Sequence, residues 1–230
     1  MHPLTSPGSG PIPGVPSQQP SNLFRFGEIT LYSTFNFPAG SALANTSNRV
    51  FSTQLGQTGQ GYTTGLSRSE TNLKEGGRIP TGQAYDVYGV ACQILGTNGG
   101  TADQPANTQA TSFIGGTNLL QNVVNNGVLQ WDFTQTNVDI CPIMLAGAGG
   151  GVYGTLGGAG AGTANTFQGA LNNGNGGIWM YRKHPVALPG STTFAVVIGF
   201  GARTPVVGQG EGAAIRIVLL GYYKSVIEIG

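Results

Sequence analysis

The chain has 230 residues, of which 10 are Lys or Arg, 9 are Asp or Glu and 2 are His. Charged residues make up 8% of it, against roughly 25% in a typical soluble domain. A net charge of +1 means that the chain has no overall excess of positive charge of the kind that binding to a phosphate backbone requires. So few ionisable groups also argue against hydrolytic and proton-transfer chemistry.

The first 22 residues form a segment rich in proline and glycine. They contain six prolines and no Lys or Arg. Proline removes a backbone donor and fixes φ, which excludes a helix or a central strand. We predict an extended arm over residues 1–22, either disordered or ordered only against a neighbouring subunit. We expect no secretory signal, because the start of the chain has neither a basic region nor an apolar stretch after it. We expect no membrane span, because no apolar stretch is long enough to cross a bilayer.

Beyond residue 22 the hydrophobic pattern has the period of two that is typical of half-buried strands. In residues 28–37, for example, Ile29, Leu31, Phe35 and Phe37 alternate with polar residues. The clearest strands are predicted at 28–37, 83–95, 128–134, 193–200, and 215–220 with 222–229, the last two as one strand bent at Gly221 or as two strands. Weaker patterns occur at 49–54, 67–73, 138–145 and 178–183.

The patterns amount to about ten or eleven strands separated by turn residues. One short helix is predicted over residues 117–126, where leucine and valine recur at helical spacing. Many strands with almost no helix predict an all-β, antiparallel sandwich or barrel, here a domain over residues 23–230. The glycine-rich residues 147–177 are predicted to form a long loop of the functional or mobile kind.

The residues with reactive side chains do not form a recognisable site. Cys92 and Cys141 lack metal-binding spacing, and we expect two buried thiols. A glycosidase needs a pair of carboxylates. The spacing in the sequence does not single out a pair among the four candidates Glu70, Asp86, Asp132 and Asp139. We therefore predict a protein that is not an enzyme, with no catalytic residue, no metal and no cofactor.

One dense basic segment stands out at residues 181–184 (YRKH). It is either a strand end that reaches solvent or a contact with an acidic neighbour or nucleic acid.

The predicted outer faces of two strands carry small residues where charged ones are expected in water. In strand 83–95 the pattern places Tyr88, Val90 and Cys92 on the core face and Gly89, Ala91 and Gln93 outside. Strand 193–200 likewise turns Thr193, Ala195, Val197 and Gly199 outward. A surface with so few charges is poorly protected against association. We infer that other copies of the chain cover it, the alternative being loops of the same chain.

Two segments have the same design, a turn of proline and polar residues followed by a hydrophobic strand. They are residues 77–88 (GRIPTGQAYDVY) and 188–196 (LPGSTTFAV). With the closing strand, the proline-rich start and the glycine-rich loop, they give the chain a pattern that resembles the jelly-roll major capsid (coat) proteins of tailless icosahedral bacteriophages.

The resemblance implies a jelly-roll β-sandwich of two four-stranded sheets that packs as trimeric or pentameric capsomers. It implies a virion protein made in the host cytoplasm, with copies of itself and other virion proteins as partners. Direct electrostatic binding of nucleic acid is not expected, because the arm has no basic residue. A single roll with insertions fits better than a double roll, which needs sixteen strands, unless short strands lie in the Asn- and Gly-rich stretches.

Two functions follow as hypotheses. The first is a structural one, a self-assembling capsid subunit that forms the virion shell. In it, Phe24, Arg25 and Phe26 anchor the arm to the body, the rings by packing and the guanidinium by pairing with an acid. The alternative is a receptor- or glycan-binding sandwich of the spike or lectin-like kind, for which we considered the aromatic residues Trp131, Trp179 and Tyr181.

Overall fold

The structure is a computed structural model. It describes residues 23–38, 48–97, 126–133, 136–147, 154–155, 170–171, 177–200 and 212–227. Within these ranges it describes only the backbone of residues 23–26, 94–97, 154–155, 170–171, 212–213 and 226–227.

Eleven strands and one short 3₁₀ helix at Ile143–Leu145 lie in the described ranges. The strands are β1 (Leu23–Phe37), β2 (Arg49–Val50), β3 (Gln83–Thr97), β4 (Gly127–Phe133), β5 (Thr136–Pro142), β6 (Gly154–Thr155), β7 (Ala170–Leu171), β8 (Trp179–Met180), β9 (Val186–Leu188), β10 (Ala195–Phe200) and β11 (Gly212–Ile227).

Two antiparallel sheets make up the fold. The first has the order β1-β11-β3, and the far edge of β3 pairs with both β8 and β9. The second has the order β2-β10-β4-β5. Among the described residues, strands β6 and β7 pair with each other alone. The all-β prediction, with two antiparallel sheets and almost no helix in the described ranges, is confirmed.

One hydrophobic core joins the two sheets. Ile217 of β11 and Ile198 of β10 are both completely buried in it. Phe194 contacts Phe51 at a centroid distance of 5.8 Å and Trp131 at 6.4 Å. Each side chain of this size stabilises the fold by about 1.5–3 kcal/mol when fully buried, so the alternation of the strands accounts for the pairing of the two layers.

Each clear strand prediction corresponds to a strand in the described residues, with β10 beginning at Ala195, and residues 215–227 belong to a single strand, β11. The weaker strand predictions agree less well with the structure, because a short alternating hydrophobic pattern does not indicate which distant strand the segment pairs with. Residues 138–145 divide into the end of β5 and the 3₁₀ helix, while 49–54 and 178–183 contain only two-residue strands.

Four further sequence predictions are either wrong or lie wholly or mostly outside the described residues. The predicted strand at 67–73 was wrong, since these residues form turns with one isolated bridge to β1. The predicted arm 1–22 lies outside the described residues, as do residues 117–125 of the predicted helix and most of the loop 147–177.

A bulge interrupts the ladder between β3 and β11. The register shifts between Leu220 and Gly221, where β3 carries Tyr88 as an extra residue. An extra residue reverses the alternation of the strand that contains it, and Val87 and Val90 on either side of it are both fully buried. The prediction that Tyr88 shares the core face with Val90 was wrong for this reason.

Beside this bulge, Gly221 allows the ring of Tyr85 to approach the backbone. A Cβ atom at Gly221 would lie 2.5 Å from Cζ of Tyr85 and 2.6 Å from the carbonyl oxygen of Asp86. The Tyr85 hydroxyl lies within hydrogen-bonding distance of the carbonyl oxygens of Ile29 and Leu219. Burial raises the pKa of Tyr85, so the hydroxyl stays a donor.

The chain itself covers part of the outer edge of β1. The side chain of Asn72 accepts a hydrogen bond from the Tyr32 N–H at 2.9 Å and donates to the Thr30 carbonyl at 2.7 Å. Farther along, the Gln60 amide donates to the Thr34 carbonyl at 2.7 Å. An open edge invites pairing with a strand of another chain, and these two amides occupy the groups that such a strand would use.

We predict that Gly221→Ala lowers the free energy of unfolding by about 1–3 kcal/mol, because the new methyl group overpacks the site. Gly27→Ala is the matched control on β1, since nothing lies within 4 Å of its Cβ position. It should change stability by less than about 1 kcal/mol. Urea unfolding measures both, and equal midpoints for the two variants would contradict the packing around Gly221.

Candidate assembly surface

The first sheet has an outer face, formed by the side chains that alternate with the core residues. On β11, for example, Val218 and Leu220 flank the fully buried Leu219. The outer face consists of Glu28, Thr30, Tyr32 and Thr34 on β1, Arg216, Val218, Leu220, Tyr222 and Lys224 on β11, Asp86, Tyr88, Gly89, Ala91 and Gln93 on β3, and Ile178 and Met180 at β8.

One half of the outer face is polar and is tied to the chain's own loop. The Arg216 guanidinium donates to the Ser69 carbonyl at 2.6 Å and to the Thr34 hydroxyl at 3.3 Å. Its carbon lies 5.7 Å from the ring centroid of Tyr32, in cation–π range. The polar side chains of this half of the outer face are therefore engaged in contacts within the same chain.

The loop that supplies Ser69 is itself ordered by a carboxylate. Glu70 accepts hydrogen bonds from the Ser67 N–H at 2.7 Å and from the hydroxyls of Ser67 and Ser69. Partial burial opposes ionisation, but these hydrogen bonds prevail and lower the pKa of Glu70. The Glu70 carboxylate thus stabilises the turn that contains Ser67 and Ser69.

The other half of the outer face carries a group of exposed apolar side chains. We call it the apolar patch: Ile178, Met180, Leu220 and Tyr222, grouped around Gly89. Ile178 and Met180 are each 44% exposed and Tyr222 is 52% exposed. A Cβ at Gly89 would lie 3.0–3.2 Å from side-chain atoms of Met180, Leu220 and Ile178, so these three side chains converge over the glycine.

Tyr88 borders the apolar patch because the bulge turns it outward. Its ring lies 5.1 Å from that of Tyr222, and its hydroxyl donates to the Glu28 carboxylate. This hydrogen bond is the main reason that the pKa of Tyr88 rises to about 12. Nearby, Lys224 and Asp86 form an ion pair at 2.6 Å.

On the outer face of the second sheet, an ion pair flanks the small outward residues of β10. Arg49 of β2 and Asp132 of β4 form a 2.9 Å ion pair, and their register partners on β10 between them are Val197 and Ala195. The side chains of Arg49 and Asp132 meet across β10. Ala195 is only 1% exposed, whereas Val197 and Gly199 are partly exposed, so contacts within the chain cover part of this face.

A second group of exposed apolar residues lies at β5 and the 3₁₀ helix. Val138, Met144 and Leu145 are 48%, 56% and 48% exposed. They occupy an edge of the sandwich rather than a sheet face.

The predicted anchor residues Phe24, Arg25 and Phe26 lie at the start of β1. Their backbones pair with Val226, Ser225 and Lys224 of β11, so the residues that follow the predicted arm in the sequence belong to the first sheet. Their side chains lie outside the described part of the chain, and the anchoring role stays a prediction.

The three aromatic residues considered for glycan binding belong to the sheets and the core. Trp131 is buried, stacks on Phe133 at 5.5 Å and donates from Nε1 to the Tyr181 hydroxyl at 2.7 Å. Trp179 and Tyr181 pack against the core, and burial raises the pKa of Tyr181. They do not form an exposed platform for a sugar ring.

Each of the four carboxylates considered for catalysis has its own partner. Asp86 and Asp132 pair with the cations described above, Glu70 holds its serine turn, and Asp139 accepts from Gln130 at 2.7 Å. Burial raises the pKa of Cys92 to about 12 and that of Cys141 to about 11. Within the described ranges no three His, Cys, Asp or Glu side chains could hold a metal ion, and no helix has the length and apolarity to cross a membrane.

The sequence analysis missed the apolar patch, although it identified Gly89 and Ala91 as small outward residues. The available signal was the run at residues 217–220 (IVLL). Apolar residues on both phases of a strand indicate that both of its faces are buried. Here one face meets the core and the other is exposed in the single chain.

We predict that Tyr88 ionises near pH 12 and that Glu28→Gln lowers its pKa toward 10, because the hydrogen bond to a carboxylate holds the phenol protonated. Since the folded pKa is raised, the stability from this contact is present below pH 10 and is lost between pH 10 and 12. Ultraviolet titration of the wild type minus Tyr88→Phe isolates this tyrosine. A difference curve centred near 10 would contradict the contact.

Comparison with known protein families, curated proteins and solved structures finds no match to this chain.

Proposed function

We propose that this chain is a structural protein, a capsid subunit that self-assembles into a virion shell through contacts between copies. The observation that carries the proposal is the apolar patch, an exposed hydrophobic area on a sheet face of a protein with only 8% charged residues. Exposed apolar patches mark interaction sites. The proposed function requires no catalytic residue and no cofactor.

We further propose that the sandwich is a single jelly roll. Taking β8 and β9 as one interrupted strand and leaving aside the β6–β7 pair, the sheets contain eight strand positions in the described part of the chain. The first pairs with the last (β1 with β11), the second with the seventh (β2 with β10), the third with the sixth (β3 with β8 and β9) and the fourth with the fifth (β4 with β5). This nested pairing is expected when one long antiparallel ribbon folds over on itself, and it supports the jelly roll over other sandwiches.

The nested pairing also bears on the choice between a single and a double roll. Eight positions are those of one roll, and a double roll needs twice as many. In the sequence, the glycine-rich residues 147–177, which include β6 and β7, come between the fifth and sixth positions.

The proposal is tested on the purified full chain by light scattering and negative-stain electron microscopy. We expect capsomers or shells, with a mass that is a multiple of 23.6 kDa, because copies bury the apolar patch against one another. A monodisperse species of 23.6 kDa at high concentration, with no particles on the grid, would contradict it.

Deletion of residues 1–22 is a second test, directed at the arm. We expect fewer particles and an unchanged circular dichroism spectrum, because the deletion stops before the first residue of β1 and removes none of the described sheet. An unchanged particle yield would exclude a role of the arm, and of its anchor at Phe24, Arg25 and Phe26, in assembly.

A further inference from the structure

The apolar patch has opposite charges on its two sides. Across the first sheet the strands follow the order β1, β11, β3, β8. Glu28 is exposed on β1, at one side of the patch. Arg182, Lys183 and His184 are exposed between β8 and β9, at the other side. An acidic flank, an apolar centre and a basic flank therefore follow one another across the sheet.

The ion pairs already described do not remove this asymmetry. Lys224 and Asp86 neutralise each other at 2.6 Å, and Arg216 lies in the polar half of the outer face. The Glu28 carboxylate accepts a hydrogen bond from the neutral hydroxyl of Tyr88. This contact brings no positive charge to the carboxylate and so does not neutralise it.

We propose that the apolar patch packs face to face against the apolar patch of a second copy, around a twofold axis that lies in the interface and runs parallel to the strands, between β11 and β3. This inference rests on the proposed function and names the surface and the partner. Glu28 of each copy then meets Arg182 and Lys183 of the other, and the two apolar centres exclude water between them.

Charge selects this axis. A twofold axis parallel to the strands exchanges left and right, so it places the acidic flank of one copy over the basic flank of its partner. An axis perpendicular to the strands would instead place Glu28 opposite Glu28 and the basic segments opposite each other. Like charges in contact oppose association, and complementary flanks fix the orientation of an isologous interface.

The dimensions suit a pair of packed sheets. Neighbouring strands lie about 4.8 Å apart, so roughly 14 Å separates β1 from β8, and two stacked sheets lie about 10 Å apart. Such a face is small beside the roughly 800 Å² per partner of a standard interface. The contact is therefore weak alone and belongs among several in a shell, so the measurable quantity is the concentration at which oligomers appear.

The test is a charge exchange in the full chain, followed by sedimentation velocity over a range of concentrations. Glu28→Lys, and separately the pair Arg182→Glu with Lys183→Glu, should each raise the threshold concentration for oligomers at least about tenfold, because both create like-charge contacts. All three substitutions in one chain should restore the threshold. An equimolar mixture of the two defective variants should also restore it, since each supplies the flank that the other needs.

Asp139→Lys is the matched control. Asp139 is also an exposed carboxylate with one side-chain hydrogen bond, and it lies on β5 in the other sheet. We expect its threshold to equal that of the wild type. Circular dichroism of every variant verifies that the fold is intact.

Four results would overturn the inference. If both charge variants assemble as the wild type does, this face is not a contact, while the proposed shell function stands. If they fail and neither the combined variant nor the mixture recovers, the flanks do not meet. If only deletion of residues 1–22 prevents association, the arm of a neighbour occupies the patch instead. If the wild type itself stays monomeric, the proposed function fails together with the inference.

Discussion

A sheet face in water stays apart from other protein surfaces when it carries charge, and this chain has only 10 basic and 9 acidic residues to distribute. A two-layer sandwich has two outer faces to protect. On the second sheet the Arg49–Asp132 ion pair spans the small residues of β10. On the first sheet Arg216 and the loop at Ser69 cover one half. The scarcity of charge leaves the apolar patch around Gly89, in the other half, exposed.

Much of the fold could be predicted from the sequence, because strand alternation is a local property. The five clear patterns correspond to β1, β3, β4, β10 and β11. What could not be predicted depends on contacts distant in the chain. Tyr88 changes face because the β3–β11 register shifts, and residues 67–73 follow a course set by hydrogen bonds to β1 about 40 residues earlier, such as that of Asn72 with Tyr32.

The candidate site shows the same division. The sequence analysis correctly identified a surface short of charge, and it placed Gly89 and Ala91 on the outside. The apolar patch itself draws Met180 from β8 and Leu220 from β11, which meet only when both strands have joined β3. No local pattern brings these residues together, although the two-faced apolar run at 217–220 was a signal.

The central claim is that another copy of the chain hides this apolar face. Hydroxyl-radical footprinting of the full chain, with mass spectrometry of Met180 and Tyr222 and free methionine as the dose standard, measures it most directly. The account predicts strong labelling of both residues in dilute solution, where each is about half exposed, and labelling near that of a buried side chain in the assembled fraction. Equal labelling of the two residues in monomers and in assembled particles would contradict it.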